Sequence, residues 1–356
     1  MSTRRVVVTG VGLVTPVGIG VETTWQSIVQ GVSGAAPITA FDPEGYDVHF
    51  ACEVKGFEAS DHMDRRVAKH LDRFAQFALA AAKMAVNDAG LEITESLAPE
   101  VGVVIGSGIG GMATLEKQHS ALMEKGPHRV SPYMIPMMIS DMAAGAVSIE
   151  FGARGPNMSV VTACASSGNA IGEATEMIRR GSATAIIAGG AEATITPLAI
   201  AAFASMKALS TRNDDPTHAS RPFDHTRDGF VMGEGSGILV LEEYEHAKAR
   251  GAKIYGEVVG YGATGDAYHI TAPDVEARGA IQAMQRAMRQ AGLTPDQMSY
   301  INAHGTSTSA NDRAETLAAK QVFGDAAYRI PMSSTKSMTG HMLGAAGAVE
   351  LILCLL

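Results

Sequence analysis

Three residues of this sequence carry side chains suited to nucleophilic catalysis, in settings that would open them to a substrate. Cys164 lies in Val161-Thr162-Ala163-Cys164-Ala165-Ser166-Ser167-Gly168, between a predicted buried strand and a helix of small residues. A thiol at a helix N-terminus feels the positive end of the dipole and unpaired N–H groups, which lower its pKa and raise its thiolate fraction. Taken alone it also reads as a buried cysteine acting as a small hydrophobe. His304 lies in Asn302-Ala303-His304-Gly305-Thr306-Ser307-Thr308, and His341 ends Ser334-Thr335-Lys336-Ser337-Met338-Thr339-Gly340-His341. Two of the 11 histidines thus sit in Gly/Thr-rich loops at predicted strand C-termini, where doubly wound folds place chemistry. Either alone is matched by a solvated loop histidine; together with Cys164 they point to a nucleophile attended by two imidazoles. Cys52 and Cys354 have no comparable context and read as structural.

Elements able to position these residues alternate along the chain. Predicted strands are Arg5–Thr9, Val101–Ile105, Ser159–Thr162, Ala185–Ala188, Gly237–Glu242, Ile254–Gly260, Ser299–Ala303 and Pro331–Ser334; the clearest helices are Arg73–Ala89, Ser166–Arg180, Ala277–Ala291 and Ala314–Val322. This is the pattern of a mostly parallel sheet covered by helices, an α/β fold. The order helix, Ala-Gly-Leu, strand, Gly/Ser/Thr-rich turn occurs at Ala80–Gly111 and again at Ala280–Ser309. A second pair matches Ser159–Cys164 and its small-residue helix to Met332–Lys336 and Leu343–Glu350. The chain therefore reads as two copies of one α/β unit, residues 1–250 with Cys164 and 251–356 with His304, Lys336 and His341. The second copy stops inside the helix equivalent to the one after Cys164, so a complete repeat predicts roughly sixty further residues and marks this half as truncated.

Composition narrows the class. The chain has 356 residues, 46% hydrophobic and 18% charged, with a formal net charge of −9, enough for a sizeable core and too acidic for a dedicated nucleic-acid binder. Three scattered cysteines are too few for a disulfide framework or a tetrahedral zinc site and point to a reducing compartment. Val6-Val7-Val8 is too short for a signal segment, and the apolar stretch Ala183–Ala208 is interrupted by Gly189-Gly190, Glu192 and Pro197, so no membrane span and a cytoplasmic location are expected.

The runs TACASSG, NAHGTST, SSTKSMTGH with GAAGAVE, and RPFDHTRDGFVMGEGSG together resemble the β-ketoacyl-[acyl-carrier-protein] synthases of the thiolase fold, over Arg5 to Leu356. Ile109 in Gly106-Ser107-Gly108-Ile109-Gly110-Gly111 resembles the second elongating type, the first having glycine there. The resemblance implies a thiolase-like fold of two pseudo-symmetric halves in an α-β-α-β-α core. It implies fatty-acid elongation: an acyl chain moves from a carrier-protein thioester to Cys164 and condenses with a malonyl unit that loses CO₂. His304 and His341 would stabilise the enolate, and the Cys164 N–H would supply an oxyanion donor. Lys336 carries over as the family's lysine near the histidines, with Glu315 as its matching carboxylate and Asp312 in support, a pair that shapes the site. Thr306 and Thr308 match positions facing a phosphopantetheine arm, the substrate carrier; no cofactor bound by the enzyme is implied. Ile109, Phe203 and Met138 are candidates for an apolar acyl tunnel, and the segment around Met138 for a dimer interface. Arg65, Arg66 and Lys69, with Arg73, and the separate Arg129 and Lys207 would dock the acidic acyl carrier protein. Asp61, Asp64 and Asp72 interleave with the first group, the mark of an ordinary solvated face. Asn302 and Glu350 correspond to a monovalent-cation site in relatives; Glu350 equally suits a surface or capping role. No other metal is implied. A homodimer is expected, without nucleic acid or membrane partners.

Competing readings are a polyketide-type ketosynthase subunit, a truncated inactive fragment, and an NAD(P)-dependent reductase. The last rests on Gly10 and Gly12 after a strand and on Tyr244-x-x-x-Lys248. Thr15 replaces the third glycine of a dinucleotide loop, Pro16 follows it, and Tyr244 follows a strand, so both are decoys.

Overall fold

The computed structural model describes residues 4–356. Strands β1 (Val6–Thr15), β2 (Val101–Gly106), β3 (Asn157–Val160), β4 (Ala185–Glu192) and β5 (Gly235–Glu243) build the main sheet in the order β1-β5-β4-β2-β3. The short strands Gly18–Ile19 and Gly256–Glu257 add to β1. A separate parallel pair joins β6 (Ile301–Asn302) to β7 (Met332–Ser333). The main helices are α1 (Arg73–Ala89), α2 (Ser166–Arg179), α3 (Arg278–Ala291), α4 (Ser309–Phe323), α5 (Lys336–Thr339) and α6 (Ala346–Leu355).

The mostly parallel sheet expected from the sequence needs one correction. β4, β2 and β3 run parallel, but β5 is antiparallel to both of its neighbours, β1 and β4. Glu192 at the end of β4 pairs with Gly235 at the start of β5, so the connection leaves and returns at one end of the sheet. A connection of that kind gives an antiparallel neighbour; a parallel one needs a crossover.

Alternating side chains divide the core between the two faces of this sheet. Val103, Ile105, Ile187, Ile238 and Val240 pack against α1, whose Phe74, Phe77, Ala78, Ala81 and Ala85 are buried. Val104, Ile186, Leu239 and Leu241 face α2 and α6 through Ala170, Ala174, Ile178, Val349 and Ile352. Helix α6 also touches β6, and α3 and α4 cover the far side of β6–β7 through Met284, Met288 and Phe323. The layers run α1, main sheet, α2 with α6, β6–β7, then α3 with α4, the five-layer order that the resemblance implied.

Local geometry repeats as well. A Cβ at Gly10 or Gly12 of β1 would run into the carbonyl oxygens of Ala85 and Ala81 on α1; one at Gly260 or Gly262 would meet those of Ala287 and Ala283 on α3. The glycines that imitate a dinucleotide loop are sites of close strand–helix approach. Tyr244, the other reductase decoy, opens the six-residue helix Tyr244–Ala249 and is stacked by Arg5. Helices α2 and α6 each begin with a 3₁₀ turn, Ala163–Ala165 and Leu343–Ala345, whose first residue has positive φ (50° and 43°). Left-handed backbone at a residue with a Cβ costs on the order of 1–2 kcal/mol and persists only where its surroundings enforce it. The strands of the second half are shorter than the sequence suggests: Ile254–Gly260 reduces to Gly256–Glu257, and Ser299–Ala303 to Ile301–Asn302.

Close approach at β1 makes its glycines costly to replace. Gly12→Ala should lower the stability of the chain by about 1–3 kcal/mol through overpacking. Urea unfolding measures this, and an unchanged midpoint would contradict the proposed backbone contact with α1.

Candidate active site

Four loops meet where the strand ends of the two halves face each other. The first follows β3 and carries Cys164 in the strained 3₁₀ turn before α2; its N–H belongs to the first turn, where N–H groups lack intrahelical acceptors. The second follows β6 and carries His304. Both oxygens of Glu315 accept backbone N–H groups here, from His304 (2.6 Å) and Gly305 (2.7 Å), which fixes the turn. The third follows α5 and carries His341, whose N–H donates to the Val231 carbonyl at 2.7 Å and whose carbonyl accepts from Gly233 at 3.0 Å. The fourth, Ser107–Gly110, follows β2 and carries Ile109.

These turns bring the three predicted residues together. Cys164 Sγ lies 3.0 Å from His341 Nε2. One donor atom from each of Cys164, His304 and His341 falls within 4.8 Å of the others. The imidazoles meet edge to face, with ring centres 5.2 Å apart and planes at 85°. Phe230 packs edge-on against His341, and Phe203 against Phe230.

Burial governs the titration of the site. It holds His304 down at about 3 and His341 well below the ordinary histidine value, with the Lys336 ammonium acting in the same direction. Both rings are therefore neutral near pH 7 and can each offer one N–H. Burial also pushes the Cys164 thiol up to about 11 against the opposing pull of Lys336, so the depressed thiol expected from its place before α2 is not what this environment gives. At rest the group is S–H, 3.0 Å from Nε2 of His341. Nδ1 of His341 is buried without a hydrogen-bond partner, so nothing at that atom fixes the ring in one tautomer.

Lys336 is 1% exposed and pairs with Glu350 of α6, which corrects the expected pairing with Glu315. Glu315 is committed to the His304 turn and feels Lys336 only as a nearby charge. Asp312 is buried, accepts the Phe223 N–H at 2.7 Å and pairs with Arg227 at 3.2 Å, holding the loop around Phe223 against α4. For the cation suggested at Asn302 and Glu350, Asn302 Oδ1 is a buried acceptor without a partner and its amide reaches the Glu350 carbonyl at 3.4 Å. The Glu350 carboxylate, however, is turned to Lys336, so one free oxygen remains and no cage. That pairing also replaces the surface or capping role suggested for Glu350.

The remaining candidates fall into two groups. Ile109 and Phe203 pack with Cys164 in one apolar cluster, while Ile109 and Met138 line a cleft of about 660 Å³. The Thr306 and Thr308 hydroxyls lie 2.9 Å apart. Arg65, Arg66, Lys69 and Arg129 are exposed and have no ion pair among the described residues. Stacking of His70 on Tyr133, centroids 3.9 Å apart, brings the segment after Arg129 against the helical turn of Arg65. Lys207 lies elsewhere and pairs loosely with Asp47 at 3.7 Å. Arg73 leaves the basic group: it donates to buried Glu234. Asp72, counted among the interleaved acids, is buried and accepts from Thr114.

Sequence reasoning missed Glu192. This fully buried carboxylate accepts from Gly108 N (2.7 Å), Ser107 Oγ (3.0 Å), Gly344 N (3.0 Å) and Ile109 N (3.2 Å). The available signal was an acid inside an apolar strand, which must be partnered if buried.

Comparison with known proteins agrees along the whole chain. The family described as beta-ketoacyl synthase, N-terminal domain, matches residues 3–247, and beta-ketoacyl synthase, C-terminal domain, matches residues 255–356. A protein named 3-oxoacyl-[acyl-carrier-protein] synthase 2 from Synechocystis sp. is 57% identical over 98% of this chain and 84% of its own length. One of the same name from Staphylococcus aureus is 56% identical over the same shares. A beta-ketoacyl synthase structure from Burkholderia phymatum superposes with TM-score 0.91 at 38% identity, covering 99% of this chain and 85% of that one. A type II PKS acyl-carrier protein in complex with its ketosynthase superposes with TM-score 0.90 at 37% identity, covering 99% and 86%.

The reassigned partner of Lys336 is open to measurement. Removing one member of a buried pair costs about 3–5 kcal/mol, while members of a pair couple by about 0.5–3 kcal/mol. In a double-mutant cycle read by denaturation, Lys336→Met should couple strongly with Glu350→Gln and weakly with Glu315→Gln; the reverse order would return the pairing to Glu315.

Proposed function

The chain belongs to the β-ketoacyl synthase family, and from that premise we propose that it elongates fatty-acyl chains by decarboxylative condensation on carrier protein. The observation that carries this reading is the meeting of one thiol from the first half with two neutral imidazoles from the second, within 4.8 Å. Its 56–57% identity to proteins named 3-oxoacyl-[acyl-carrier-protein] synthase 2 favours fatty-acid elongation over the polyketide alternative, whose solved examples are 36–37% identical.

Each residue has a step. Sγ of Cys164 attacks the acyl thioester carbonyl and forms a tetrahedral oxyanion beside the Cys164 N–H. The thiol proton passes through Nε2 of His341, 3.0 Å away, to the departing pantetheine sulfur. With the acyl chain on Cys164 and its tail along Ile109 and Phe203, malonyl carrier protein enters on its pantetheine arm past Thr306 and Thr308. Loss of CO₂ leaves an enolate whose oxygen receives the N–H groups of His304 and His341. The enolate carbon attacks the acyl carbonyl, the C–S bond breaks with its electron pair going to sulfur, 3-oxoacyl carrier protein leaves, and the Cys164 thiolate takes one proton from solvent. No bound cofactor takes part. Lys336 with Glu350, and Glu315 under the His304 turn, keep the rings neutral and placed. Arg65, Arg66, Lys69 and Arg129 receive the acidic carrier.

A homodimer fits this reading. β3 is an edge strand of the main sheet, and Tyr133, Ile135, Ile139, Met158 and Val161 are exposed around it. No helix among the described residues is long and apolar enough to cross a membrane. A cytoplasmic location belongs to this proposal, because a free Cys164 thiol needs a reducing compartment.

Incubation with acyl carrier protein thioester should leave an acyl adduct on Cys164, seen by intact mass, and none on Cys164→Ala. An unmodified wild-type chain would overturn catalysis by Cys164. Because both imidazoles are held neutral, malonyl decarboxylation should show no histidine protonation step between about pH 5 and 8; a step near an ordinary histidine pKa would mean that at least one ring is charged at rest. Reversing Arg65, Arg66 and Lys69 to glutamate should raise KM for carrier-bound substrate on the order of 10-fold or more and spare a short pantetheine thioester. Equal effects on both substrates would remove docking from this face.

A further inference from the structure

We propose that Cys164, His304 and His341 also form a binding site for one Zn²⁺ ion, and that the ion and the acyl substrate exclude each other. The site goes beyond the condensation reading and does not rest on it, since it follows from donor type and spacing alone. A thiolate with two imidazoles is a donor set that suits Zn²⁺ and is foreign to Mg²⁺ or Ca²⁺. Three protein ligands with one open position is the arrangement of reactive zinc centres.

The spacing suits the ion. Zn–S of about 2.3 Å and Zn–N of about 2.0–2.1 Å in a tetrahedron set the donors roughly 3.3–3.6 Å apart. Here the donor atoms lie within 4.8 Å of one another, and Sγ stands 3.0 Å from Nε2 of His341. Side-chain movements on the order of 1 Å would complete the shell. The backbones that carry the rings are fixed: Glu315 holds that of His304, and Val231 and Gly233 hold that of His341. With Nε2 on the metal the ring proton of His341 sits on Nδ1, which is buried without a partner, so this ligand lacks an outer hydrogen bond to orient it. Phe203, Phe230 and Leu343 supply an apolar shell. The nearby cation Lys336 is matched by Glu350, which limits its repulsion of the ion.

Coordination is balanced by one proton: the Cys164 thiol loses H⁺ to solvent as the S–Zn bond replaces a bound water on the ion. Sulfur so held cannot attack a thioester, and the ring nitrogens bound to zinc carry no proton to offer the enolate.

The test uses the reduced, metal-free full chain titrated with Zn²⁺ against a chromophoric chelator. Expected are one ion per chain, one proton released, and loss of Cys164 alkylation by iodoacetamide at saturating zinc, restored by EDTA and read by mass spectrometry. Cys164→Ala and His304→Ala should each weaken binding by more than the 10- to 100-fold that loss of an outer-shell partner costs. Cys164→Ser, the closest replacement in size, guards against misfolding, and circular dichroism must match the parent. Exposed Cys354 remains in every variant, so weak binding there cancels in the comparison. Zinc binding that survives Cys164→Ala and Cys164→Ser, or alkylation of Cys164 at an unchanged rate under saturating zinc, overturns the proposal. Zinc protection in a chain that shows no acyl adduct would sink the condensation reading and leave this one standing.

Discussion

A single buried carboxylate ties together the turns on which the site is built. Glu192 ends β4, the strand between β2 and β5, and gathers donors from Ser107, Gly108 and Ile109 on one side and from Gly344 on the other. The first three belong to the loop that shapes the acyl cleft. Gly344 belongs to the turn that follows His341 and starts α6. Without an acceptor here, three backbone N–H groups would be buried unpaired, each at a cost of about 1–3 kcal/mol. Glu192 thus joins a first-half loop to a second-half turn, which is why Cys164 and His341 face each other at hydrogen-bond distance.

The same enclosure sets the chemistry. Burial removes water from the imidazoles and keeps them neutral, which is what donation to an enolate oxygen requires, and Lys336 adds to that effect. It also keeps the thiol protonated, so the helix start before α2 alone does not make a resting thiolate. Neutral donors in a dry site need no reorganisation when charge develops on the substrate, whereas a resting thiolate would be opposed by burial and by the carboxylates of Glu192 and Glu350. Proton transfer to His341 at the moment of attack resolves both demands.

Much of this was legible in the sequence because its signals were local. The helix Arg73–Ala89 announced itself by small and apolar residues at three- and four-residue spacing, and its bounds match. The three reactive residues stood in small-residue loops after apolar runs. What failed were inferences about which side chains meet in space. Glu315 lies closer in sequence to the His304 motif and seemed to suit Lys336, yet its oxygens serve two backbone N–H groups, and Glu350 reaches the ammonium from the next helix. The reversal of β5 depends on where a long connection returns, which no local pattern encodes. The thiol's pKa followed burial, whose extent arises only when the second half closes over the first.

The repeat explains why only one of two equivalent turns carries a nucleophile. Ala163–Ala165 and Leu343–Ala345 share a left-handed first residue and each lead into a helix on the same face of the main sheet. Cys164 holds the middle place in one turn, and Gly344 holds it in the other. A Cβ at Gly344 would lie against Gly108 N and 2.7 Å from Glu192 Oε2, so a side chain there would displace the carboxylate that joins the halves. The second turn therefore gives its middle position to structure, and the second half presents its chemistry just before the turn, at His341. Duplication supplied two matching frames. Contact between them allowed a side chain at one midpoint and required none at the other, and the asymmetry of the active site follows from that steric difference.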